Sequence, residues 1–169
     1  MEVEEAVRTR RTHKVYAPDP VEREVLDDLL ELARWAPNHH MTNPWRFRVL
    51  GPEALGRLKD AAEPEDATKL ERAPTLVVAS VSGAGGPVEA EEDLLATGCA
   101  VYIVLLAAHA RGLVGYWRTP EILRTPSGRA AVGLPEDERF VALIHLGRGR
   151  QEKEAPERVP PGDYVTYLP

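Results

Sequence analysis

Thr75-Leu76-Val77-Val78-Ala79-Ser80-Val81 is the stretch of this 169-residue chain that decides the fold. It carries no charge, and its apolar residues do not alternate with polar ones, which is typical of a strand covered by helices on both faces. Phe140-Val141-Ala142-Leu143-Ile144 predicts another buried strand, and Leu113 to Tyr116 a brief one. Trp45-Arg46-Phe47-Arg48-Val49 alternates, as a half-exposed strand does. The sequence therefore predicts a sheet with a buried middle.

The second predicted helix has the clearest signals. Asp19 as N-cap, Pro20 at the first helical position and Glu22 three residues after the cap predict its start. Pro37 predicts its end, because a proline disfavours helical geometry in the residue before it. The apolar stripe between them comprises Val25, Leu26, Leu29, Leu32, Ala33 and Ala36.

Other helices are predicted on both sides of the strands. A first helix runs through Val3–Val7, a short one follows Gly51-Pro52, and a long one extends from about Glu89 to Arg111, ended by Gly112. Strands that alternate with helices indicate a mixed three-layer fold, α/β or α+β. One domain of residues 1–169 is expected from the length.

Composition narrows the function classes. The net charge of -6 and the pI near 5.4 argue against a nucleic-acid partner. Met1–Glu5 carries acids where a secretory signal has basic residues, so export is not expected. A single cysteine allows no internal disulfide, which fits a cytoplasmic location. The longest apolar run, Leu94–Ala108, falls short of the roughly 20 residues that cross a bilayer, which predicts a buried helix and no membrane partner. The single cysteine, Cys99, is predicted to be a small core residue.

The chain from about 151 to 169 is a charged, proline-rich tail. Its end, Tyr164-Val165-Thr166-Tyr167-Leu168, is apolar, which favours docking on a second copy of the protein. The alternative is a tail that packs on its own domain.

Several common sites have no matching motif. The glycine-rich turn Ser80–Pro87 lacks the third glycine of a dinucleotide loop and the Gly-Lys-Ser/Thr of a P-loop. His39 and His40 are adjacent instead of four apart, so zinc hydrolase chemistry is a weak alternative and no metal site is predicted. There is no Gly-x-Ser-x-Gly elbow, and Cys99 is not expected to be a nucleophile.

Basic and aromatic residues gather where elements join. Arg10-Arg11-Thr12-His13-Lys14 follows the first helix, residues 36–45 form a polar loop between prolines, and Trp117-Arg118-Thr119-Pro120 follows a short strand. Loops at strand ends are where such folds hold ligands. The residues thus predict an anionic, partly aromatic ligand. Alternatively, the cations only face the negative end of the helix dipole.

These same residues resemble the motifs of the nitroreductase family, in the correct order and over nearly the whole chain. The resemblance is nearest to its compact bacterial subgroup with a Trp-Arg-Ser/Thr turn. The motifs are Arg10-x-Thr12-x-Lys14, Ala36-Pro37-Asn38-His39 with Pro44-Trp45, Gly98-Cys99-Ala100, Gly115-Tyr116-Trp117-Arg118-Thr119, and Gly133-Leu134-Pro135. One departure is the short stretch 63–72, which leaves no room for the extra helices that cover the flavin in larger members.

The resemblance implies a central mixed sheet between helices, an intertwined homodimer with a C-terminal extension, and FMN at the interface. It implies that Arg10, Arg11 and Thr12 hold the phosphate and ribityl chain and that Lys14 faces the N1/O2 edge of the ring. By the same resemblance, His39 and the backbone near Trp35 approach FMN from the partner subunit. Trp117, Arg118 and Thr119 line the ring. Whether Arg148, Arg150 or Arg158 contacts the phosphate stays open.

The implied activity is FMN-dependent oxidation of NADH or NADPH, with electrons passed by a ping-pong mechanism to a small acceptor such as a nitroaromatic or a quinone. The flavin performs the chemistry, so no side-chain acid or base is expected. Two alternatives stay open on the same scaffold: a flavin-binding protein without turnover, and a flavin-dependent enzyme of another type, such as a dehalogenase.

Overall fold

The computed structural model describes residues 1–83 and 85–169. The turn predicted over residues 80–87 includes Ala84, which lies outside the described residues. Short 3-10 turns occur at His39–Met41, Glu121–Arg124 and Pro161–Asp163. The helices are α1 (Val3–Thr9), α2 (Arg23–Ala33), α3 (Pro52–Asp60), α4 (Pro64–Leu70), α5 (Pro87–Ala110) and α6 (Pro126–Ala131), and the strands are β1 (Trp45–Val49), β2 (Thr75–Ser82), β3 (Val114–Arg118) and β4 (Glu138–Gly147).

The four strands form one sheet in the order β1-β2-β4-β3, and each neighbouring pair is antiparallel. The stretch 75–81 lies in β2 and is buried throughout, so the prediction of a central covered strand is confirmed. A parallel pairing is added by the isolated bridge between Thr12 and Gly115, which lays the segment after α1 beside β3. The predicted α+β class is confirmed.

Two hydrophobic cores lie on opposite faces of the sheet, which gives three layers. On one face α2 and α5 cover side chains such as Val77 and Ile144. On the other face α3, α4 and α6 pack with Leu143 and Val78. Both central strands are thus buried on two sides, as their lack of alternation predicts.

The predicted start of α2 is wrong by three residues. The helix begins at Arg23 with Glu22 as N-cap, and no side chain caps it. The reason lies in Val21, whose backbone N–H donates to Thr75 Oγ1 at 2.8 Å and ties the preceding segment to the beginning of β2. The helix also ends at Ala33, before the turn that leads to Pro37.

Two short helices have no counterpart among the sequence-based predictions. α4 occupies the stretch 63–72, and α6 begins at Pro126. Thr125 caps α6 by accepting a hydrogen bond from the Gly128 backbone N–H at 3.1 Å. The signal, a threonine before a proline at the first helical position, is present in the sequence.

α5 is the core helix of the molecule, as predicted. It is long and apolar enough by composition to cross a membrane, but Ala100, Val101 and Val104 are fully buried against the sheet and α2. The prediction that Cys99 is a core residue is wrong, because its thiol is free and exposed. Leu95, Cys99 and Tyr102 share a face that the rest of the chain leaves open, since a helix apolar all round gives no sign of its uncovered side.

Candidate functional site

A cationic cleft lies where α1 ends. Arg10, Arg11 and Arg158 line two adjoining cavities of about 720 and 250 Å³. The Nε atoms of Arg10 and Arg11 are buried and have no hydrogen-bond partner among the described residues. Guanidinium groups favour anions with several acceptor oxygens, so three of them around one cleft suit a phosphate.

The local structure explains why these cations meet. α1 stops at Thr9, whose hydroxyl lies 2.8 Å from His109 Nε2 on α5, and the chain then turns to bridge β3 through Thr12. The Arg10 guanidinium carbon lies 5.9 Å from the centre of the Tyr102 ring. Arg11 Nη1 donates to the Arg8 carbonyl at 2.8 Å. The helix-dipole interpretation therefore holds for one nitrogen of Arg11, while the Nε atoms stay free for a ligand.

Two histidines beside the cleft stay neutral near pH 7. Burial, and then Lys153, lowers the pKa of His13, and burial followed by Arg10 lowers that of His109. The positive charge of the cleft near pH 7 thus comes from its arginines and Lys153, and not from histidine.

An aromatic groove of about 520 Å³ adjoins the cleft. Tyr102 belongs to both, and Trp117 and Thr119, which are predicted to line the flavin ring, line the groove. A Cβ at Gly98 would lie 3.7 Å from the Trp117 ring, so this glycine lets the indole lie close to α5. The groove and the cleft together form one surface that is basic at one end and aromatic in the middle.

The His39 loop closes the other side of the groove. His39 lines a hollow of about 370 Å³ that shares Leu95 and Cys99 with the groove. Its Nδ1 lies 2.8 Å from Glu92 Oε2, and its ring stacks on His40 at 3.8 Å. In the single chain the predicted loop, groove and arginines therefore follow one face of α5.

Two predicted residues point away from the groove. The Arg118 guanidinium donates to Asp66 Oδ1 at 3.0 Å, on the face of the sheet opposite to Trp117, because successive side chains of a strand alternate. Lys69 first, and also Arg118, hold the pKa of the Asp66 carboxyl below its ordinary value. Lys14 Nζ lies 5.9 Å from the centre of the Tyr116 ring, also across β3 from the groove. The prediction that Arg118 lines the flavin ring is therefore kept for its backbone only.

The other predicted residues, Trp35, Arg148 and Arg158, lie in three different surroundings. Trp35 is 76% exposed, with the Arg34 guanidinium 6.0 Å from its ring. Arg148 lines a separate cavity with Asp19 and Arg111. Arg158 is the tail arginine that joins Arg10 and Arg11.

Sequence reasoning did not single out Tyr102, Arg124 or Arg139, all of which line the groove. Tyr102 is the one aromatic residue within the apolar run 94–108, which is a usable signal. The two arginines lie on a 3-10 turn and at an open strand edge, and only the fold brings them together.

Comparisons with known proteins show which family the chain belongs to. The model of the Nitroreductase family matches residues 7–67. A "Putative NAD(P)H nitroreductase" of Haemophilus influenzae is 32% identical over 177 residues, covering 95% of this chain and 96% of its own.

Solved structures share the fold. The nitroreductase-like family protein of Bacillus cereus superposes with a TM-score of 0.90 at 22% identity, over 99% of this chain and 96% of its own. The FMN and NADPH-dependent nitroreductase of Sphigopyxis sp. strain HMH gives 0.83 at 17% identity and covers both chains completely. With a relative above 30% identity matched over almost its full length, the chain belongs to the nitroreductase family.

Proposed function

We propose that this protein is an FMN-dependent NAD(P)H oxidoreductase that reduces small nitroaromatic or quinone acceptors. The observation that carries the proposal is the continuity of the arginine cleft with the aromatic groove through Tyr102. FMN has the matching form, with a phosphate at one end and a flat ring at the other. The name of the relative from Sphigopyxis, which states FMN and NADPH dependence, supports it.

The residues present fit FMN. The unpartnered Nε atoms of Arg10 and Arg11 are buried donors that a phosphate would satisfy, which removes the cost of leaving them unpaired. Arg158 adds a third cation, and Thr12 lines the smaller cavity. These four residues would hold the phosphate and ribityl end.

The ring end would lie between Trp117 and Thr119, with the Arg118 backbone beside it. Lys14 is proposed for the N1/O2 edge, and its exposed side chain, which lies over Tyr116 in the single chain, would have to turn about the sheet edge to meet it. His39 and the backbone near Trp35 are proposed to approach from the partner subunit. The tight His39–Glu92 contact would fix the ring of that histidine.

When bound by Arg10, Arg11, Thr12 and Arg158, FMN would supply the redox chemistry, which is hydride transfer from NAD(P)H and then to the acceptor in ping-pong order. With a quinone the overall reaction is NAD(P)H + H⁺ + quinone giving NAD(P)⁺ + hydroquinone. The chain's task is to hold, orient and polarise the reactants. No side-chain acid or base is assigned.

A homodimer in the cytoplasm is part of the proposal. Trp35, Tyr167 and Leu168 are 76%, 92% and 86% exposed in the single chain, and large apolar side chains in such number suit a surface that a second copy covers. Arg158 and Tyr164 of the tail line the cleft of their own chain, so the tail reaches the cofactor site before its apolar end leaves the domain.

Two measurements test the function. The purified protein should release FMN on denaturation, identified by fluorescence and chromatography, and should oxidise NADH or NADPH when menadione is present. Flavin without turnover would favour the flavin-binding or non-nitroreductase alternatives. A colourless protein that binds no added FMN would contradict the cofactor itself.

A further inference from the structure

The aromatic groove has a second cationic end that the cofactor proposal does not use. Arg124 and Arg139 both line it, and no acidic side chain of the described residues does. In a protein with a net charge of -6, a groove with two arginines and no carboxylate is a local exception.

The fold sets the two cationic ends of the groove apart. Gly115 faces Leu105 while Gly98 faces Trp117, so β3 runs antiparallel to α5, and β4 runs parallel to it. Trp117 pairs with Ile144, and Arg139 precedes Ile144 by five residues, or about 16 Å of strand. Arg139 therefore lies toward the beginning of α5, away from Tyr102 and the arginine cleft.

A gap in the sheet creates this end of the groove. β3 pairs with β4 only as far as Leu143, so the edge of β4 from Glu138 to Ala142 has no neighbouring strand on that side in the part of the chain that the structure describes. The 3-10 turn with Arg124 lines the opening, and its guanidinium carbon lies 5.6 Å from the centre of the Phe140 ring. Phe140 itself is only 4% exposed, so it supports Arg124 from below and leaves this cation at the rim of the open groove.

The charges of both arginines are largely free. Arg139 forms no ion pair within residues 1–83 and 85–169, and the nearest acid in sequence, Glu138, lies across the strand in a two-bonded pair with Arg48 at 2.8 and 2.9 Å. Arg124 Nε lies 3.7 Å from Glu121 Oε2, and the Glu121 side chain is 81% exposed. A carboxylate on a ligand would replace that loose, solvated contact at little cost.

We propose that Arg124 and Arg139 form a subsite for the anionic group of an aromatic electron acceptor, so that the enzyme prefers acceptors with a carboxylate to neutral ones of the same shape. The inference rests on the proposed function. The acceptor's ring would lie against the open face of the flavin ring in the groove, and its carboxylate would point away from the phosphate end, toward the two arginines. For a nitro acceptor the two-electron step is R–NO₂ + NAD(P)H + H⁺ giving R–NO + NAD(P)⁺ + H₂O.

The test compares para-nitrobenzoate with para-nitrobenzamide, which differ in charge and little in shape. The holoenzyme should show a higher kcat/KM with the benzoate, and added salt should reduce this preference. Arg139→Gln should lower the ratio of the two kcat/KM values about tenfold, as should Arg124→Gln, mainly because the benzoate binds less tightly and its KM rises. Arg23→Gln, which changes an arginine 92% exposed on α2, is the matched control with no expected effect.

Binding provides a readout without turnover. In calorimetric titrations of the oxidised protein, the affinity for para-nitrobenzoate should be about tenfold lower in Arg139→Gln than in the wild type. A wild-type preference for para-nitrobenzamide, or equal ratios in all variants, would overturn the subsite while leaving the redox function intact. If the arginine variants instead lose a preference for NADPH over NADH and keep the ratio of kcat/KM values for the two acceptors, the arginines bind the electron donor. This result would also overturn the proposal. Absence of FMN would show instead that the proposed function fails.

Discussion

His145 lies in the middle of β4 with no exposed surface. Neither ring nitrogen has a hydrogen-bond partner within residues 1–83 and 85–169. Burial, and then the charges of Arg118 and Arg72, lower the pKa of the ring to about 4. The folded protein therefore holds a neutral imidazole that the unfolded chain would protonate near pH 6.5.

This difference predicts acid sensitivity. Between pH 6.5 and about 4, the unfolded state binds one more proton than the folded state. The contribution of neutral His145 to the free energy of unfolding is therefore complete above pH 6.5, and it is lost by about 1.4 kcal/mol per pH unit as the pH falls through this range. His145→Leu should flatten the slope in urea unfolding between about pH 7 and pH 4.5. The pKa of Glu138 is lowered, so this residue reduces the free energy of unfolding only when the pH falls below its ordinary pKa of 4.5. Parallel slopes for variant and wild type would refute the assignment.

Arg10 should affect the grip on FMN more than the chemistry. Arg10→Ala removes a buried donor of the cleft, and the loss of a charge-assisted phosphate contact, about 1.5 to 3 kcal/mol, should weaken FMN binding roughly ten- to a hundredfold. Saturating FMN should restore most of the NAD(P)H oxidation. Fluorescence titration of the apoprotein measures the affinity, and an unchanged value would remove Arg10 from the phosphate site.

Lys14 should affect the chemistry. Lys14→Met keeps the length of the side chain but removes its charge, so reduced FMN would lose a stabilising cation and the midpoint potential should fall. Excess FMN should not restore activity. If spectroelectrochemistry gives the wild-type potential, Lys14 is only a surface cation over Tyr116, where the structure places it.

Among the helices and strands, sequence patterns predicted those whose positions depend on the burial of apolar residues. β2 and β4 have continuous apolar runs, and α5 has an apolar composition, so their positions follow from the hydrophobic effect alone. The start of α2 could not be predicted in this way, because the Val21 N–H is held by Thr75, 54 residues away. Capping rules describe the local chain and contain no information on such a contact.

The site was predictable to a similar extent. Arg10, Arg11 and Thr12 meet because they adjoin in sequence, and the motif contains them. Arg158 and Tyr102 join the same cleft only through folding, from a proline-rich tail and from the open side of a helix. No local pattern distinguishes them from solvated or core residues.

The loop 38–43 is held in a strained form. His40, Met41 and Asn43 have positive φ angles of 53°, 54° and 48°, which cost on the order of 1 to 3 kcal/mol each for non-glycine residues. Thr42 donates to the buried carboxylate of Asp93 at 2.6 Å and fixes the loop on α5.

The Thr42 hydroxyl should therefore matter more than its methyl group. Thr42→Val keeps the shape but leaves the Asp93 carboxylate without this bond, so the free energy of unfolding should fall by about 1 to 3 kcal/mol. Thr42→Ser should retain most of it. Hydrogen exchange should also report faster opening of the loop in Thr42→Val alone. Equal behaviour of the two variants would contradict the anchoring role.

A glycine in α6, Gly128, lets the backbone of that helix lie close to Ile122. A Cβ at Gly128 would lie 1.9 Å from the Ile122 carbonyl oxygen, so Gly128→Ala should destabilise the fold by about 1 to 3 kcal/mol. Gly56→Ala in α3 is the control, since nothing lies within 4 Å of its Cβ position, and it should stabilise by about 0.5 to 1 kcal/mol. Thermal unfolding of both variants checks the difference in sign.

For the whole molecule, the open surfaces are the feature that a single chain does not explain. The open face of α5, the exposed Trp35 and the apolar end of the tail are all left uncovered. A sequence contains no direct record of what covers such a surface, because apolar residues in an interface and in a core have the same composition. The proposed homodimer is an arrangement that would cover all three.

Two variants of the tail test formation of the proposed dimer and binding of FMN separately. Truncation after Val165 keeps Arg158 and Tyr164, which line the cleft, but removes Tyr167 and Leu168. Each such side chain contributes about 1.5 to 3 kcal/mol when buried, and a dimer has two tails, so its dissociation constant should rise more than about a hundredfold. Sedimentation should show the intact chain at twice 18.7 kDa and the truncated chain as a monomer that has lost FMN. The full-length Arg158→Ala variant should remain a dimer and bind FMN less tightly. An intact chain that sediments as a monomer with tightly held FMN would disprove the shared site.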